Sequence, residues 1–566
     1  MMGKNNYQDW TKEDLIQEIK RLKKRKKYGL VWDEEKTKER FEADAEGKLP
    51  VLVEDKKKEI ITDADKPVNI LIEGDNYHAL SVLNYTHPKS IDVIYIDPPY
   101  NTGAKDWKYN NDYVDYEDSY RHSKWISFMD KRLRLAKNLL KKNGVLICTI
   151  DENEHAALGL LLQELFPNRE IVCITIVHNP GGIQGKNFSY CHEYAYFIYP
   201  TGGEYISKVR REDIDPTPLR DWGKESSKRE SAQNCFYSIY VKDGNVIGFG
   251  QVCPNDFHPT KPNIFRKDGI IEIYPLDRNG IERKWRFSRQ SIESIKDELV
   301  CQMIKNELVI LREKKDYRWK TVWTDGKYNA NVYGTQLLNC IIETKFPFPK
   351  SLYAVKDCIK AVIHPKENAV ILDFFSGSGT TGHAVLELNK EDGGNRQFIL
   401  CTNNENNICT DVCYPRVQKV IKGYKNSKGD EIDGLGGNLK YFKTAFVGSE
   451  PTHRNKKMLT DKSVEMLCIK ENTFEEVLNK PVPAGFKQGK AFRVFKNKEK
   501  YLAILFDEMQ IDVFKKEVST LKLPVSVYVF SLEGDDFREE FEDLKNKITL
   551  CSIPEAILKV YRRIFR

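Results

Sequence analysis

At 566 residues the chain is too long for a single hydrophobic core, and about three or four domain-sized units are expected. Hydrophobic residues make up 40% and aromatics 11%, which excludes a disordered chain, and the longest apolar runs, such as Val145–Ile150, are strand-length, which excludes a membrane span. The 90 basic and 83 acidic residues leave a net charge of +7, which permits nucleic-acid binding without demonstrating it.

The start, Met1 to Asn6, carries no apolar signal core, so a cytoplasmic protein is expected. Its 13 cysteines are an odd number with no C-x-x-C pair. Several, such as Cys148, Cys173 and Cys401, fall in apolar strand-like runs. That pattern suits reduced structural thiols and predicts no metal site, the cluster Cys401, Cys409 and Cys413 included.

In chain order, residues 11–29 read as a helix. Thr11 and Asp14 form a capping-box-like start, and Leu15, Ile19 and Leu22 make an apolar stripe that needs a partner. Within it, positions 20–27 read KRLKKRKK, a solvated face or a nucleic-acid contact. A charged stretch (34–66) leads to a strand at Val68–Ile72 and a helix at Tyr77–Leu83. Ile91–Ile96, apolar throughout except Asp92, reads as a buried parallel strand. A helix over Ser123–Lys142, closed by Asn143-Gly144, leads to strand Val145–Ile150, helix Glu152–Phe166 and strand Ile171–Val177.

Residues 201–335 break this alternation with short β-type runs (Cys235–Val241, Ile270–Tyr274, Trp285–Ser288) among Lys, Arg, Trp and Tyr. It resumes with helix Leu352–Ala361, strand Val370–Leu372, a glycine-rich turn at 376–382, a helix and strand Phe398–Thr402. Neither half has enough strands alone, so an insertion into one sheet is expected. The resulting division is 1–60, helical and basic; 61–200 and 341–450, two halves of an α/β core; 201–340, the insert; and 451–566, a small α+β tail.

Two loops beyond strand ends carry the chemistry. Asp373-Phe374-Phe375-Ser376-Gly377-Ser378-Gly379-Thr380-Thr381-Gly382 lets backbone approach a ligand and opens a helix. Alone it indicates a nucleotide-like cofactor; no G-K-[ST] follows, which argues against a P-loop. Asp97-Pro98-Pro99-Tyr100-Asn101-Thr102-Gly103 presents a carboxylate, a rigid acceptor carbonyl and an aromatic ring together. Asp97 and the Pro98 carbonyl suit the two hydrogens of an aromatic amine, with Tyr100 stacked on its ring. The plainer reading is a Pro-Pro turn with Asp97 as a cap.

Asp97–Tyr100 and Asp373–Thr381 resemble the catalytic and cofactor motifs of amino-directed, S-adenosylmethionine-dependent DNA methyltransferases. Their order resembles the circularly permuted β class. Phe348-Pro349-Lys350-Ser351, before a helix, resembles the motif that precedes the cofactor loop, and Asp97–Gly103, His192-Glu193-Tyr194 and Gly434–Thr444 resemble modification subunits of type III restriction-modification systems, the similarity covering roughly residues 10–450. The resemblance implies a Rossmann-like methyltransferase core with an inserted target-recognition domain.

It further implies that Asp97, Pro98, Pro99 and Tyr100 are catalytic. Asp373, Phe374, Ser376, Gly377, Ser378, Gly379 and Thr380 would line the methionine end of S-adenosylmethionine. Glu405 would accept from the ribose, Asp75 would lie near the adenine, and Lys350 would bind the cofactor carboxylate or stand solvated at a helix start. Serine at 351 departs from the proline of many relatives.

Aspartate at position 97 implies adenine N6 in duplex DNA rather than cytosine N4. Direct transfer to a flipped base needs no catalytic cysteine, and none stands beside either loop in the sequence. Lys224, Arg229, Arg266, Lys267, Arg283, Lys284 and Arg286 are candidate DNA contacts in the insert. A homodimer joined by the first helix and a separate helicase–nuclease subunit are the implied partners. Competing expectations are a solitary DNA methyltransferase, an RNA methyltransferase and a non-catalytic nucleic-acid-binding protein.

Overall fold

A computed structural model describes residues 11–13, 15–16 and 47–565, apart from 64, 110–111, 116–119, 185–186, 211–214, 306, 365, 482–489, 532–534 and 536. Most of the helix expected at 11–29, and all of the basic run at 20–27, lies outside the described residues. The chain divides into two compact units, Lys208–Trp319 and the remainder.

The larger unit is built on one ten-stranded sheet. Its strands and principal helices, in chain order, are β1 (Lys48–Glu54), β2 (Val68–Glu73), α1 (Asn76–Thr86), β3 (Ile91–Ile96), α2 (Arg121–Leu139), β4 (Leu140–Ile150), α3 (His155–Leu165), β5 (Arg169–Ile176), β6 (Glu193–Pro200), β7 (Val322–Trp323), α4 (Leu352–Ile363), β8 (Val370–Asp373), α5 (Thr380–Asp392), β9 (Gln397–Thr402), α6 (Tyr414–Lys422) and β10 (Asn438–Gly448). The spatial order is β1-β10-β2-β9-β8-β3-β4-β6-β5-β7. Six neighbours, β10 to β4, run parallel, while β6 is antiparallel to β4 and β5.

Strands β8 and β9, from the second half of the sequence, slot between β2 and β3 from the first half. This is the single interrupted sheet expected, and it is a Rossmann-like core. Side chains alternate between its faces as a pleated strand demands. Ile94, Ile96, Leu146, Cys148, Leu372 and Ile399 join one apolar cluster with α1, α2 and α3. Val93, Tyr95, Ile147, Ile371 and Leu400 are buried on the other face, where a Cβ at Gly382 of α5 would meet Leu400 at 3.0 Å.

Three expectations need correction. Helix α2 ends at Leu139, not at 142, because Leu140 is extended and pairs with Ile91. Gly144 is therefore no helix cap but a strand residue, where a Cβ would stand 2.8 Å from the Ile91 carbonyl. Strand β1, inside the charged 34–66 stretch, was not expected; it pairs along β10 from Lys48–Gly448 to Glu54–Phe442. Finally, Trp285–Ser288 is not a strand: Trp285 makes one isolated bridge to Arg220 and buries its indole, whose N–H donates to the Tyr237 carbonyl at 2.8 Å.

The smaller unit, Lys208–Trp319, is mainly a seven-stranded antiparallel sheet that includes Tyr237–Lys242, Asn245–Val252, Leu299–Ile304 and Glu307–Arg312. Its core holds Tyr237, Ile239, Val241, Trp285, Ile292 and Ile310. Residues 320–340, placed with the insert on sequence grounds, belong to the larger unit, since Val322 and Trp323 pair parallel with β5.

The tail adds a five-stranded sheet from Glu475–Pro481 to Ile548–Ile553 and ends in helix Glu555–Ile564. The Tyr561 hydroxyl of that helix donates to the Pro50 carbonyl in β1 at 2.6 Å, fastening tail to core. Among the described residues no helix is long and apolar enough to cross a membrane.

Candidate active site

The connection from β8 through α5 leads to β9 on one side, whereas that from β3 through α2 leads to β4 on the other. Divergence of this kind opens a crevice at the carboxyl ends of the two middle strands, the usual ligand position in such sheets. The D-P-P-Y loop follows β3 and the glycine loop follows β8, and these strands pair directly (Leu372 with Ile94). The two candidate motifs, 276 residues apart between Asp97 and Asp373, thus flank one crevice.

Asp97 retains 26% of its side-chain exposure; its Oδ1 accepts from the Thr149 hydroxyl at 2.7 Å and lies 3.2 Å from Lys350 Nζ. Burial pushes its carboxyl above the ordinary value, against the opposing pull of Lys350. Pro98 is buried, and the Pro99 carbonyl accepts the Trp125 indole N–H at 2.7 Å, which ties the loop to α2. The Tyr100 hydroxyl donates to Glu193 Oε2 at 2.9 Å. Burial, then Asp97 and Glu193, push that phenol far above its usual range, so it stays protonated.

Lys350 is neither solvated nor free. Its ammonium contacts Asp97, Glu193 and the Tyr100 hydroxyl, and sits 4.4 Å from the Tyr100 ring centroid. Burial alone would lower its pKa, but the two carboxylates raise it. For Glu193, burial is outweighed by Lys350 and His178, and its carboxyl is held below the ordinary value.

Asn101 follows with φ of 57°, a left-handed conformation that Asn tolerates better than most residues. Its amide donates to the buried Glu154, which also pairs with His122 Nδ1 at 2.7 Å. Burial pushes Glu154 up to about 8.

The glycine loop is organised differently. Asp373 spends both oxygens internally, accepting the Phe375 N–H at 2.9 Å and the Thr381 hydroxyl at 2.6 Å. Burial pushes it up to about 7. Ser376 donates its N–H and its hydroxyl to the Cys401 carbonyl, each at 3.1 Å. The Phe374 carbonyl accepts from Asn76 at 3.0 Å.

Gly377 and Gly379 take φ of 47° and 78°, where side chains are disfavoured. A Cβ on Gly377 would reach the Phe346 ring at 3.4 Å, and one on Gly379 would reach Cys413 Sγ at 3.2 Å. Ser378 and Thr380 turn their hydroxyls to a buried arginine of α6, Arg416, at 3.0 and 2.8 Å. Burial lowers that guanidinium to about 10, and His383, also against it, is pushed far below its usual range and is neutral.

Asp75 caps α1 through the Tyr77 N–H at 2.8 Å and faces Arg132 at 3.5 Å. Glu405 lies exposed in the turn after β9. Cys413 stands behind the glycine loop, and Cys148 on β4 feels Asp97. Neither cysteine neighbours a loop in the sequence; the fold brings them there, and burial pushes both thiols far up.

Sequence reasoning missed Arg416, Glu154 and Asn76, and quoted Glu193 without giving it a task. All four act across elements, which no local motif announces.

In the smaller unit the candidate DNA contacts separate into two kinds. Arg229 is buried, bonded to Glu282 and to the carbonyls of Cys253, Pro254 and Phe257. Arg283 pairs with Asp277, Arg266 with Glu272, and Lys284 faces Asp221 at 3.9 Å. Lys224, Lys267 and Arg286 are exposed.

Known proteins resemble the chain over much of its length. The Mod subunit of the type III restriction-modification enzyme EcoPI, from Escherichia phage P1, is 28% identical over 404 residues, 63% of this chain and 60% of the relative. The type II methyltransferase M.KpnI of Klebsiella pneumoniae is 28% identical over 407 residues, 68% of this chain and 93% of its own. The chain thus spans 60% of the length of the phage relative. The Thermus thermophilus protein TTHA0409, solved with S-adenosyl-L-methionine, aligns at 13% identity over 65% of this chain and 99% of its own, with a TM-score of 0.30. The N6_N4_Mtase family model, described as DNA methylase, matches residues 91–412, which begin at β3 and take in both crevice loops, and the chain belongs to that family.

Proposed function

We propose that the chain transfers a methyl group from S-adenosylmethionine to N6 of an adenine flipped out of duplex DNA, as the modification subunit of a type III restriction-modification system. The observation that carries this reading is the meeting of the D-P-P-Y and glycine loops at the ends of the paired strands β3 and β8. The glycine loop fits such a cofactor: positive φ at Gly377 and Gly379 leaves bare backbone at the turn, and a Cβ at Gly377 would close on Phe346. Asp373, Phe374, Ser376, Gly377, Ser378, Gly379 and Thr380 would hold its methionine end, with Glu405 and Asp75 toward the nucleoside. When bound, S-adenosylmethionine supplies an activated methyl group.

The chain's own residues supply alignment and charge. The N6 lone pair is delocalised into the adenine ring, so the amine is a poor nucleophile. Asp97 and the Pro98 carbonyl, accepting its two hydrogens, favour a pyramidal nitrogen with its lone pair available. The Tyr100 ring replaces part of the stacking lost when the base leaves the duplex. Lys224, Lys267 and Arg286 are the insert's best phosphate contacts, because their neighbours among the seven candidates are engaged within the protein.

Incubation with methyl-labelled S-adenosylmethionine and genomic duplex DNA, followed by nucleoside analysis, tests this directly. Labelled N6-methyladenine is expected. N4-methylcytosine would overturn the base assignment, and label only in RNA would overturn the substrate.

A solitary modification enzyme is the second reading, favoured by coverage of 93% of M.KpnI against 60% of the EcoPI subunit. An adjacent helicase–nuclease reading frame would decide for type III. The proposed homodimer through residues 11–29 predicts a halved mass in light scattering after deletion of 1–30; unchanged mass would remove that helix's part.

A further inference from the structure

Glu193 belongs to neither loop. It opens β6, next to β4 in the sheet, and its register partner is Ile176 of β5. Only 4% of its side chain is exposed, yet it is surrounded by the D-P-P-Y machinery. Its Oε2 accepts the Tyr100 hydroxyl at 2.9 Å and contacts the Lys350 ammonium, which also lies 3.2 Å from Asp97 Oδ1.

Two carboxylates therefore share one ammonium, for a net charge of −1. That balance matters because Asp97 must accept a hydrogen from the target amine. A buried ammonium committed wholly to Asp97 would form a neutral, closed pair and weaken the acceptor. Oδ1 of Asp97 already carries the Thr149 hydroxyl at 2.7 Å as well as the ammonium. The second carboxylate gives Lys350 an alternative partner, and the Tyr100 hydroxyl, which also reaches Asp97, donates to the same oxygen.

We propose that Glu193 is a positioning residue of the transfer reaction: it shares Lys350 and the Tyr100 hydroxyl with Asp97, drawing both partly away, and so keeps Asp97 open as a charged acceptor for the target amine. This rests on the amine-methylation reading above. Glu193 touches no reacting atom; it acts through Lys350.

The charge balance supplies a test that a merely structural role would not pass. Glu193→Gln preserves shape but leaves Asp97 and Lys350 as a closed neutral pair. At saturating cofactor and DNA, kcat is expected to fall about 30-fold or more, with KM for DNA and Kd for S-adenosylmethionine within about threefold. Adding Lys350→Met removes the ammonium and returns the site to −1 on Asp97 alone. The double variant is expected to recover about tenfold in kcat over Glu193→Gln. Saturating cofactor keeps any contribution of Lys350 to cofactor affinity out of the comparison.

Glu193→Asp, which keeps the charge, should stay well above Glu193→Gln and guards against a fold defect in the amide variant. Wild-type kcat in Glu193→Gln, or a double variant no faster than Glu193→Gln, would overturn the proposal. A wild-type protein that labels no nucleic acid would overturn the proposed function itself, and this role with it.

Discussion

The D-P-P-Y loop after β3 and the glycine loop after β8 sit side by side, but they are held by different kinds of bond. Around Asp97 the fixings are charged: Lys350 and Glu193. Around Gly377 they are backbone turns, hydroxyls and carbonyls, with Arg416 bonded to hydroxyls rather than to a carboxylate. On the proposed function the first loop polarises an amine and needs its charges balanced, while the second admits a cofactor and needs shape and open backbone. Substitutions should therefore separate turnover at the first loop from affinity at the second.

Asp97→Ala should give the largest effect. Removing the charged acceptor is expected to cut kcat at least about 100-fold while Kd for S-adenosylmethionine, by calorimetry, stays within about threefold. Equal losses in both would break the division of labour between the loops.

Gly377→Val should show the reverse split. A β-branched residue at φ of 47° costs on the order of 1–3 kcal/mol, and its side chain would crowd Phe346. Cofactor Kd should rise about tenfold or more, with kcat at saturation little changed. Loss of kcat without loss of affinity would place the cofactor elsewhere.

Glu154 sharpens the comparison through pH. Its pKa is raised from 4.5 to about 8, first by burial, so folding favours the protonated form. The stability this contributes is fully present below 4.5 and is lost as pH rises through 8, an effect of up to about 5 kcal/mol. Asp373, raised to about 7, acts with the same sign. Denaturant midpoints of the wild type should therefore fall between about pH 5 and about pH 8.5, and those of Glu154→Gln should fall less. Identical slopes would mean that Glu154 is not buried as an acid.

The parts of this site that were legible in the sequence are those written in consecutive residues. The β-branched strand Ile91–Ile96 running into two prolines and the S-G-S-G turn before a helix declare their geometry locally. Arg416 and Glu193 do not, because their meaning lies in partners 38 and 157 residues away, Ser378 and Lys350. Strand β1 was hidden for a different reason: Lys48 and Glu54 at its ends and Pro50 within it give an edge strand the composition of a loop. The overrun of α2 came from Asn143-Gly144, a helix-stop signal in sequence that the fold uses to let β4 pass close to β3. In the insert, charge alone could not distinguish Arg229, which holds three carbonyls and a carboxylate, from the exposed Arg286.

The smallest expected effect tests whether the second loop is held by packing alone. Cys413 packs behind Gly379, and its thiol is 3.9 Å from the Ser376 hydroxyl, too weak a contact to matter much. Burial keeps the thiol protonated, so it has no nucleophilic part in the reaction. Cys413→Ala should cost about 1 kcal/mol of stability as a small core truncation and leave kcat and cofactor Kd within about twofold. Alkylation of the native wild type at neutral pH should likewise leave Cys413 unlabelled while partly exposed thiols such as Cys191 and Cys340 react first. A tenfold fall in cofactor affinity from this one-atom truncation would show that the glycine loop depends on the volume behind it as strictly as the D-P-P-Y loop depends on its charges.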